Sequence, residues 1–159
     1  MKISIVMVTF NSDKTIRSAI NSIKNQKNVQ LELVIIDGGS TDLTLNILKE
    51  FDSIINTLIS EPDKGTYDAL NKGLRNCTGD IVGILHSDDI FANKDSLSMV
   101  SEKFKESSCS VVYGNIEFFE GKIIKRRWNV GPFKLKNVRN GWHPAHPSFF
   151  VSRKLVVEN

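Results

Sequence analysis

The alternation of short β-rich runs with helical patterns limits most strongly how this chain can fold. Apolar runs predict strands at residues 3–9, 31–37, 54–60 and 80–85. Helical patterns lie between and after these strands, at 13–25, about 42–48, 67–74 and 94–105. Strands that alternate with helices form βαβ units, whose strands run parallel. The sequence therefore predicts an α/β fold with a mostly parallel, doubly wound central sheet flanked by helices.

Cap and turn residues add detail to this outline. Ser12 is expected to cap the first helix, and Ser40 or Thr41 the second. The second helix should face the core with Leu43, Ile47 and Leu48. Later in the chain, residues 111–119 and 122–130 surround Glu120-Gly121, which predicts a hairpin appended to the sheet.

Length and composition favour one domain. The chain has 159 residues and 40% hydrophobic content, enough for one sizeable core. Its apolar runs fall far short of the roughly 20 residues that span a bilayer. The first residues form a better strand than a signal peptide, so we expect a cytoplasmic location. Cys77 and Cys109 lack metal-ligand spacing, and we expect both thiols to be buried and reduced.

Charge is distributed unevenly. Residues 1–120 carry 12 Lys and Arg against 17 Asp and Glu, whereas residues 121–159 carry nine against one. Such a split suggests that the C-terminal part meets an anionic partner. An ordinary solvated basic face is the alternative, and both interpretations stay open. Because no recognised binding motif accompanies the charge, nucleic acid is not expected as the partner.

The predicted strand ends are unusually polar. Ligands bind beyond the carboxyl ends of strands in open α/β sheets, and four consecutive strand ends here carry carboxylates or amides. Each cluster alone could be a helix cap or a turn, but four on one edge favour a site. The clusters are Thr9 to Asn11, Asp37 to Asp42, Ser60 to Gly65, and His86 to Asp89.

An edge lined with carboxylates repels a bare diphosphate, and a divalent cation resolves that conflict. Asp88, helped by Asp89, offers the hard oxygen ligands that Mg²⁺ or Mn²⁺ prefers. The sequence has no G-x-G-x-x-G turn after the first strand and no G-x-x-x-x-G-K-[ST] motif. These absences argue against a dinucleotide cofactor and against a P-loop NTPase.

Taken together, these motifs resemble family 2 glycosyltransferases of the Rossmann-like GT-A fold. The resemblance covers nearly the whole chain and is closest to the bacterial branch that builds O-antigen, capsule and other surface polysaccharides. The motifs that carry it are Val8 to Asn11, Ile36 to Asp42, Glu61 to Gly73, Thr78 to Asp80, and Ser87 to Asp89.

The resemblance implies a nucleotide-diphosphate sugar donor, usually a UDP-sugar. It implies that Asp37 hydrogen-bonds the base, and that Asp88 is the final, metal-binding aspartate of the family's Asp-x-Asp motif. It also implies a nucleotide-binding half at 1–90 and an acceptor-side half at 91–159. The other residues that it places at the donor are Thr9, Asn11, Asp63, Lys64, Asp68, Asn71, Lys72 and Ser87.

His86 departs from the family pattern, since many relatives have Asp or Asn there. It is expected to contact the ribose or the sugar, or else to bond the backbone at a strand end. A later segment, 143–150, resembles the family's His-Pro/Gln...Phe region near donor phosphates and acceptor, and it makes His146 a candidate catalytic residue. A plain turn fixed by two prolines is the alternative.

Aromatic and basic residues are mixed in the C-terminal part. This mixture fits anionic lipid headgroups, as would suit a lipid-linked acceptor, and ordinary packing is equally compatible with it. The residues are Lys125, Arg126, Arg127, Trp128, Phe133, Lys134, Lys136, Arg139 and Trp142.

The resemblance also implies inverting transfer to a saccharide or lipid-linked acceptor, with a downstream aspartate as general base. Residues 121–157 contain no carboxylate, and Glu158 is a poor candidate so near the terminus. Either the enzyme uses another base, such as Asp89 or a partner chain, or the chain binds nucleotide sugar without transferring it. A shortened C-terminal part should also expose apolar surface, which favours dimerisation or poor solubility.

Overall fold

Strands and helices alternate along residues 1–157, the part of the chain that this computed structural model describes. The strands are β1 (Lys2–Thr9), β2 (Gln30–Asp37), β3 (Thr57–Ser60), β4 (Ile81–Ile84), β5 (Val111–Tyr113), β6 (Ile116–Glu120), β7 (Ile123–Trp128) and β8 (Phe149–Ser152). The helices are α1 (Ile16–Lys24), α2 (Thr44–Lys49), α3 (Thr66–Asn76), α4 (Ser96–Ser107), α5 (Leu135–Val138) and α6 (Arg153–Val157).

A six-stranded sheet in the order β3-β2-β1-β4-β8-β5 forms the centre. Strands β3, β2, β1 and β4 are parallel, and β8 runs antiparallel to both of its neighbours. Because β5 and β8 join the same sheet, the later part of the chain shares its core with the first. The predicted α/β architecture with a mostly parallel sheet is confirmed.

Both faces of the sheet are covered, because successive side chains of a strand point to opposite sides. Ile3, Ile5 and Met7 of β1 pack in one cluster with α1, α2 and α4. Val6 and Val8 lie on the other face, in a cluster under α3. Helix α3 lies close to the sheet there, since a side chain at Gly73 would collide with Val6. Two-sided burial explains why β1 and β2 are nearly continuous apolar runs.

A buried carboxylate ties the strands together at the amino end of the sheet. Glu32 accepts hydrogen bonds from Lys2 Nζ and Thr78 N, both at 2.7 Å, and from the hydroxyls of Ser4 and Thr78. Burial alone would raise the pKa of Glu32, but these hydrogen bonds outweigh it and lower the pKa to about 2. The network links β1, β2 and the turn before β4.

The predicted helix caps are wrong. Helix α1 begins after Thr15, and the Ser12 hydroxyl donates instead to the Phe10 carbonyl at 3.2 Å. Helix α2 begins after Leu43, which is 60% exposed rather than in the core, while the predicted core residues Ile47 and Leu48 are buried.

The predicted third strand and hairpin also need correction. Residues 52–54 form a 3₁₀ turn, so β3 is shorter than predicted. The expected strand at 111–119 is broken at Gly114-Asn115, and β6 and β7 form a separate two-stranded sheet instead of extending the main one. Strand β8 was not predicted; its Phe150 packs over Gly83 of β4, where a Cβ would lie 2.6 Å from the ring Cδ1 atom.

Two expectations about composition can be compared with the fold. Both cysteines are free thiols; Cys77 is buried, but Cys109 is only half-buried. Burial raises the pKa of the Cys77 thiol to about 11. Within residues 1–157, no helix is both long and apolar enough to cross a bilayer.

Acid should unfold the protein partly through Glu32. Its folded pKa lies below the unfolded value of 4.5, so its stabilising effect is complete above about pH 4.5 and is lost as the pH falls towards 2. We expect this group to contribute about 3 kcal/mol to the free energy of unfolding at neutral pH. Urea titrations of the protein and of Glu32→Gln at several pH values measure it.

Glu32→Gln should have a lower free energy of unfolding at pH 7. That free energy should also fall less steeply as the pH is lowered than it does in the unmodified protein. Glu50→Gln is the matched control, because the exposed Glu50–Arg17 pair contributes little. Equal acid dependence in the protein and in Glu32→Gln would contradict the assignment.

Candidate active site

Strand register brings three polar side chains into one row at the carboxyl end of the sheet. Asp37 of β2 pairs with Thr9 of β1 on one side and with Ser60 of β3 on the other. The end of β4 adjoins this row, since Leu85 N donates to Val6 O at 3.1 Å. The predicted clustering of strand ends at one edge is therefore what the parallel topology produces.

Asp37 is completely buried and shapes the loop that follows it. Its Oδ2 accepts hydrogen bonds from Gly39 N at 3.1 Å, Ser40 N at 2.9 Å and Ser60 Oγ at 2.7 Å, and its Oδ1 accepts from Ser40 Oγ. Four donors saturate a carboxylate. In this conformation Asp37 holds the loop and offers no surface to a nucleobase, which differs from the role expected from the resemblance.

Asn11 fixes the same loop from the β1 side. Its side-chain oxygen accepts a hydrogen bond from Thr41 N at 2.9 Å, and its backbone N donates to Ser40 Oγ at 2.8 Å. It adopts a left-handed conformation with φ 47°, which asparagine tolerates better than most residues. Asn11 is thus a loop-building residue at the site.

Gly38 leaves a bare stretch of backbone between an aromatic ring and a carboxylate. A Cβ at Gly38 would lie 2.7 Å from Asp63 Oδ2 and 3.5 Å from Phe10 Cδ2. Asp63 Oδ1 accepts a hydrogen bond from Gly65 N at 2.8 Å, while Oδ2 has no donor among residues 1–157. Phe10 is 60% exposed. A flat, hydrogen-bonding ligand would find a stacking surface and an acceptor here.

The hydroxyl of Thr9 lies beside this stretch and has no partner. Thr9 is 6% exposed, and its Oγ1 is the one buried side-chain oxygen or nitrogen without a hydrogen bond within residues 1–157. Such an atom costs free energy unless a ligand or water satisfies it. The orphan hydroxyl is therefore an unsatisfied polar group at the end of β1, next to the backbone of Gly38.

The loop after β3 is fastened to α3 by charge. Asp68 accepts a hydrogen bond from Lys64 N at 3.1 Å, and Lys72 forms ion pairs with Glu61 at 2.9 Å and with Asp68 at 3.5 Å. Asn71 is exposed on the same helix. Contacts between its own residues therefore hold the predicted segment together.

The loop after β4 gathers the remaining predicted groups. Ser87 is buried and donates to Ser12 Oγ at 2.9 Å, Asp88 is exposed, and Asp89 is half-buried. Burial raises the pKa of Asp89, and the neighbouring Asp88 charge raises it further. Burial lowers the pKa of His86, with His146 acting in the same direction.

His146 meets this loop from a distant part of the chain. Its ring stands edge-on to that of His86, with centroids 5.2 Å apart. It lies exposed at the start of a 3₁₀ turn before β8, which the Ser148 hydroxyl ties to Gly114 O at 2.7 Å. The segment 143–150 therefore lies beside the loop after β4, as expected. Glu158 lies outside the described residues.

A metal ion would find only part of a ligand set here. Within residues 1–157, no group of three or more His, Cys, Asp or Glu side chains is placed to hold a metal ion. The exposed carboxylate of Asp88 fits an ion that takes its other ligands from water and substrate phosphates, as Mg²⁺ commonly does.

Phe10 and Ser60 belong to the predicted strand-end clusters, but the sequence assigned neither of them a role of its own. Ser60 donates to Asp37, and Phe10 forms the aromatic wall beside Gly38. Phe10 could have been suspected as an aromatic residue between two polar positions at a strand end. Ser60 gave no such signal, because its partner lies 23 residues earlier.

The family model for glycosyl transferase family 2 matches residues 4–156. The chain belongs to glycosyltransferase family 2. Among its relatives is the UDP-Glc:alpha-D-GlcNAc-diphosphoundecaprenol beta-1,3-glucosyltransferase WfgD of Escherichia coli, 34% identical over 135 residues. That match covers 84% of this chain and 52% of WfgD, so the chain spans about half the length of this curated relative.

Solved family-like structures share the fold. S. aureus TarS (residues 1–349) superposes with a TM-score of 0.83 at 25% identity, covering all of this chain (100%) and 49% of TarS; TarS has also been solved with UDP-GlcNAc. Mannosyltransferase PcManGT from Pyrobaculum calidifontis, solved with GDP-Man and Mn²⁺, gives a TM-score of 0.75 at 20% identity and covers 98% of this chain and 46% of its own.

Changing Asp37 should damage both the loop and the fold. In Asp37→Asn, the negative charge is lost, so the hydrogen bonds from Gly39 N, Ser40 N and Ser60 Oγ are no longer made to a charged acceptor. We expect a loss of about 2 kcal/mol in the free energy of unfolding, as for charged hydrogen bonds elsewhere. Urea denaturation measures it.

Ser60→Ala is the matched comparison, since it removes one of the four donors and leaves the carboxylate. It should cost about 1 kcal/mol. If Asp37→Asn were no more destabilising than Ser60→Ala, Asp37 would not be the residue that organises the loop.

Proposed function

We propose that this chain binds a UDP-sugar at the carboxyl end of its sheet and transfers the sugar, with inversion, to a saccharide or lipid-linked acceptor in surface polysaccharide biosynthesis. The observation that carries the proposal is the bare backbone at Gly38 beside Phe10 and Asp63, together with the unpartnered Thr9 hydroxyl. WfgD, by its name, uses a UDP-sugar, and TarS has been solved with one, which supports the donor class.

This arrangement of groups suits uracil in particular. Uracil presents an N–H donor between two carbonyl acceptors, and Asp63 Oδ2 is an acceptor without a protein donor in the described part of the chain. The exposed Phe10 ring lies across the same bare backbone and supplies a stacking face. Asp63 therefore takes the base-reading role, while Asp37, buried beneath it, holds the loop.

Asp88 is proposed to hold Mg²⁺ or Mn²⁺, with His86 and Ser87 beside it. A divalent ion there supplies the positive charge that a departing diphosphate needs. Lys64 and Lys72 lie on the loop and helix that follow β3, on the donor side of the site. Because Lys72 is already paired with Glu61 and Asp68, we assign Lys72 to holding the loop.

During transfer, the acceptor hydroxyl attacks the anomeric carbon, the bond to UDP breaks, and the hydroxyl proton passes to a base. Asp89 and His146 are the proposed proton acceptors. Asp89 is half-buried with a raised pKa, which strengthens a carboxylate as a base near neutral pH. His146 is exposed beside His86, where an acceptor can reach it.

Donor binding without transfer is the second candidate function. It is favoured by one observation: residues 121–157 contain no Asp or Glu, so this stretch offers His146 but no carboxylate as a base. The two candidates share the donor pocket and differ only in turnover.

Calorimetric titration of UDP and UDP-sugars, with and without Mn²⁺, tests the proposal. UDP should bind with Mn²⁺ present, and Asp88→Asn should weaken that binding about tenfold, since one charged ligand is lost. Asp95→Asn, an exchange of a carboxylate just before α4, is the control and should bind like the unmodified chain.

Failure of every nucleotide to bind would refute the proposed function. If UDP-sugar binds, release of UDP in the presence of acceptors separates the two candidates. Transfer that Asp89→Asn or His146→Gln abolishes while UDP still binds supports the enzyme, and binding with no release under any condition supports the second candidate.

Base selectivity should depend on Asp63. Asp63→Asn replaces an obligate acceptor by a group that can also donate, and cytosine presents an acceptor where uracil has N–H. We expect UDP to bind about tenfold more weakly and the preference for UDP over CDP to shrink. Gly38→Ala should act similarly, because its Cβ displaces the Asp63 carboxylate.

Asp52→Asn is the control for this pair, since it removes an exposed carboxylate from the 3₁₀ turn before β3, away from Gly38. An unchanged ratio of UDP to CDP affinity in Asp63→Asn, with UDP still bound, would show that another residue reads the base.

A further inference from the structure

Strands β6 and β7 form a small sheet, and residues 1–157 cover neither of its faces. They pair only with each other within the described residues, and a bulge between Phe118 and Phe119 twists the pair. Two-stranded sheets are marginal in water, and large exposed apolar groups on them indicate a contact surface. We call these strands with the segment 133–139 the hairpin surface; its exposed apolar residues are Phe118, Phe119, Ile123, Ile124, Phe133, Leu135 and Val138.

The hairpin surface is also strongly basic. Its only acids, Glu117 and Glu120, pair with Arg127 at 2.8 Å and with Lys125 at 2.9 Å. Five positive charges therefore remain over residues 116–139, where seven Lys and Arg stand against two Glu. The seven are Lys122, Lys125, Arg126, Arg127, Lys134, Lys136 and Arg139.

Contacts of Asn115, Val130 and Trp142 join the β6–β7 sheet to the segment 133–139. Asn115 Oδ1 accepts a hydrogen bond from Val130 N at 2.9 Å, and Trp142 Nε1 donates to Val130 O at 2.8 Å. The Trp142 ring also stands edge-on to Phe133, with centroids 5.6 Å apart. The segment with Phe133 is thereby tied to the end of β7.

We propose that the hairpin surface binds an anionic lipid membrane. Exposed aliphatic and aromatic side chains enter the boundary between headgroups and acyl chains, and the cations contact lipid phosphates. Ile123 is 64% exposed next to Lys122, and Leu135 is 68% exposed between Lys134 and Lys136, so apolar and basic groups are neighbours in both segments.

Charge and chemistry favour lipid over the other occupants of such a surface. A second copy of this chain, paired through the same surface, would bring five net positive charges against five. Nucleic acid would neutralise the cations but offer no apolar counterpart to Ile123, Ile124, Leu135 and Val138. An anionic bilayer satisfies both the charge and the apolar groups.

This surface adjoins the candidate active site. Trp128, the last residue of β7, stands edge-on to His143, with centroids 5.2 Å apart. His143 lies three residues before His146, so membrane contact would present that segment close to the lipid surface. The proposal does not depend on the identity of the donor.

Vesicle flotation with the full 159-residue chain tests the proposal. Vesicles of phosphatidylcholine alone should bind little, and an equimolar mixture with phosphatidylglycerol should bind strongly, with affinity falling as salt rises. Lys122→Glu with Arg126→Glu should weaken binding about tenfold or more. Lys24→Glu with Lys27→Glu makes the same charge change near α1 and should leave at least most of the binding.

A second variant, Ile123→Ser, keeps every charge and should reduce the binding that persists at high salt. Circular dichroism and urea denaturation check that each variant stays folded. Equal loss of binding in both charge-reversed pairs, or equal binding to both lipid compositions, would overturn the proposal. The proposal would also be overturned if the unmodified chain bound no vesicles but formed a dimer that Lys122→Glu with Arg126→Glu abolished.

Discussion

The candidate site depends on the buried carboxylate of Asp37. It closes the end of β2 against β3 through Ser60 and turns the next backbone N–H groups inward. Gly39, at φ 84°, supplies the left-handed conformation that this turn needs. Ser40 and Asn11 then lock the loop to β1, so Gly38 is presented as bare backbone to Phe10 and Asp63. Without that one acceptor, the loop would have unpaired donors and no fixed shape.

The architecture could be predicted from periodicity because both faces of the sheet are buried. Continuous apolar runs in β1 and β2, with helical stripes between them, allow few arrangements other than a parallel sheet covered on both sides. Helix starts could not be predicted, since the local hydroxyls had better partners in the folded protein. Ser12 bonds with Phe10 and Ser87, and Ser40 bonds with Asp37. Capping rules consider only hydrogen bonds between a hydroxyl and the nearby backbone. Here the hydroxyls bind partners elsewhere, so these rules do not locate the helix starts.

The position of the site was predictable, but the duty of each residue was not. Parallel strands end at one edge whatever their loops do, so Thr9, Asp37 and Asp88 had to lie near one another. Whether a carboxylate points inward or outward depends on residues far away in sequence. Asp37 turns inward because Ser60 meets it, and Asp63 stays available because Gly38 leaves room. The hairpin was misplaced for a similar reason: Asn115 bonds Val130 and ends the strand that periodicity alone continued.

Hydrogen-bond accounting separates the two ends of the sheet more clearly than composition does. Both ends carry buried polar groups, and both have a carboxylate that accepts four hydrogen bonds. At the amino end, Glu32 and its four donors satisfy one another, so that end serves to hold β1, β2 and the turn before β4 together. At the carboxyl end, the Thr9 hydroxyl and one oxygen of Asp63 are left without donors or acceptors from residues 1–157. The Thr9 hydroxyl is a buried group that lacks a partner, and the partly exposed Asp63 oxygen is a spare acceptor, so this end of the sheet is where a ligand is to be sought.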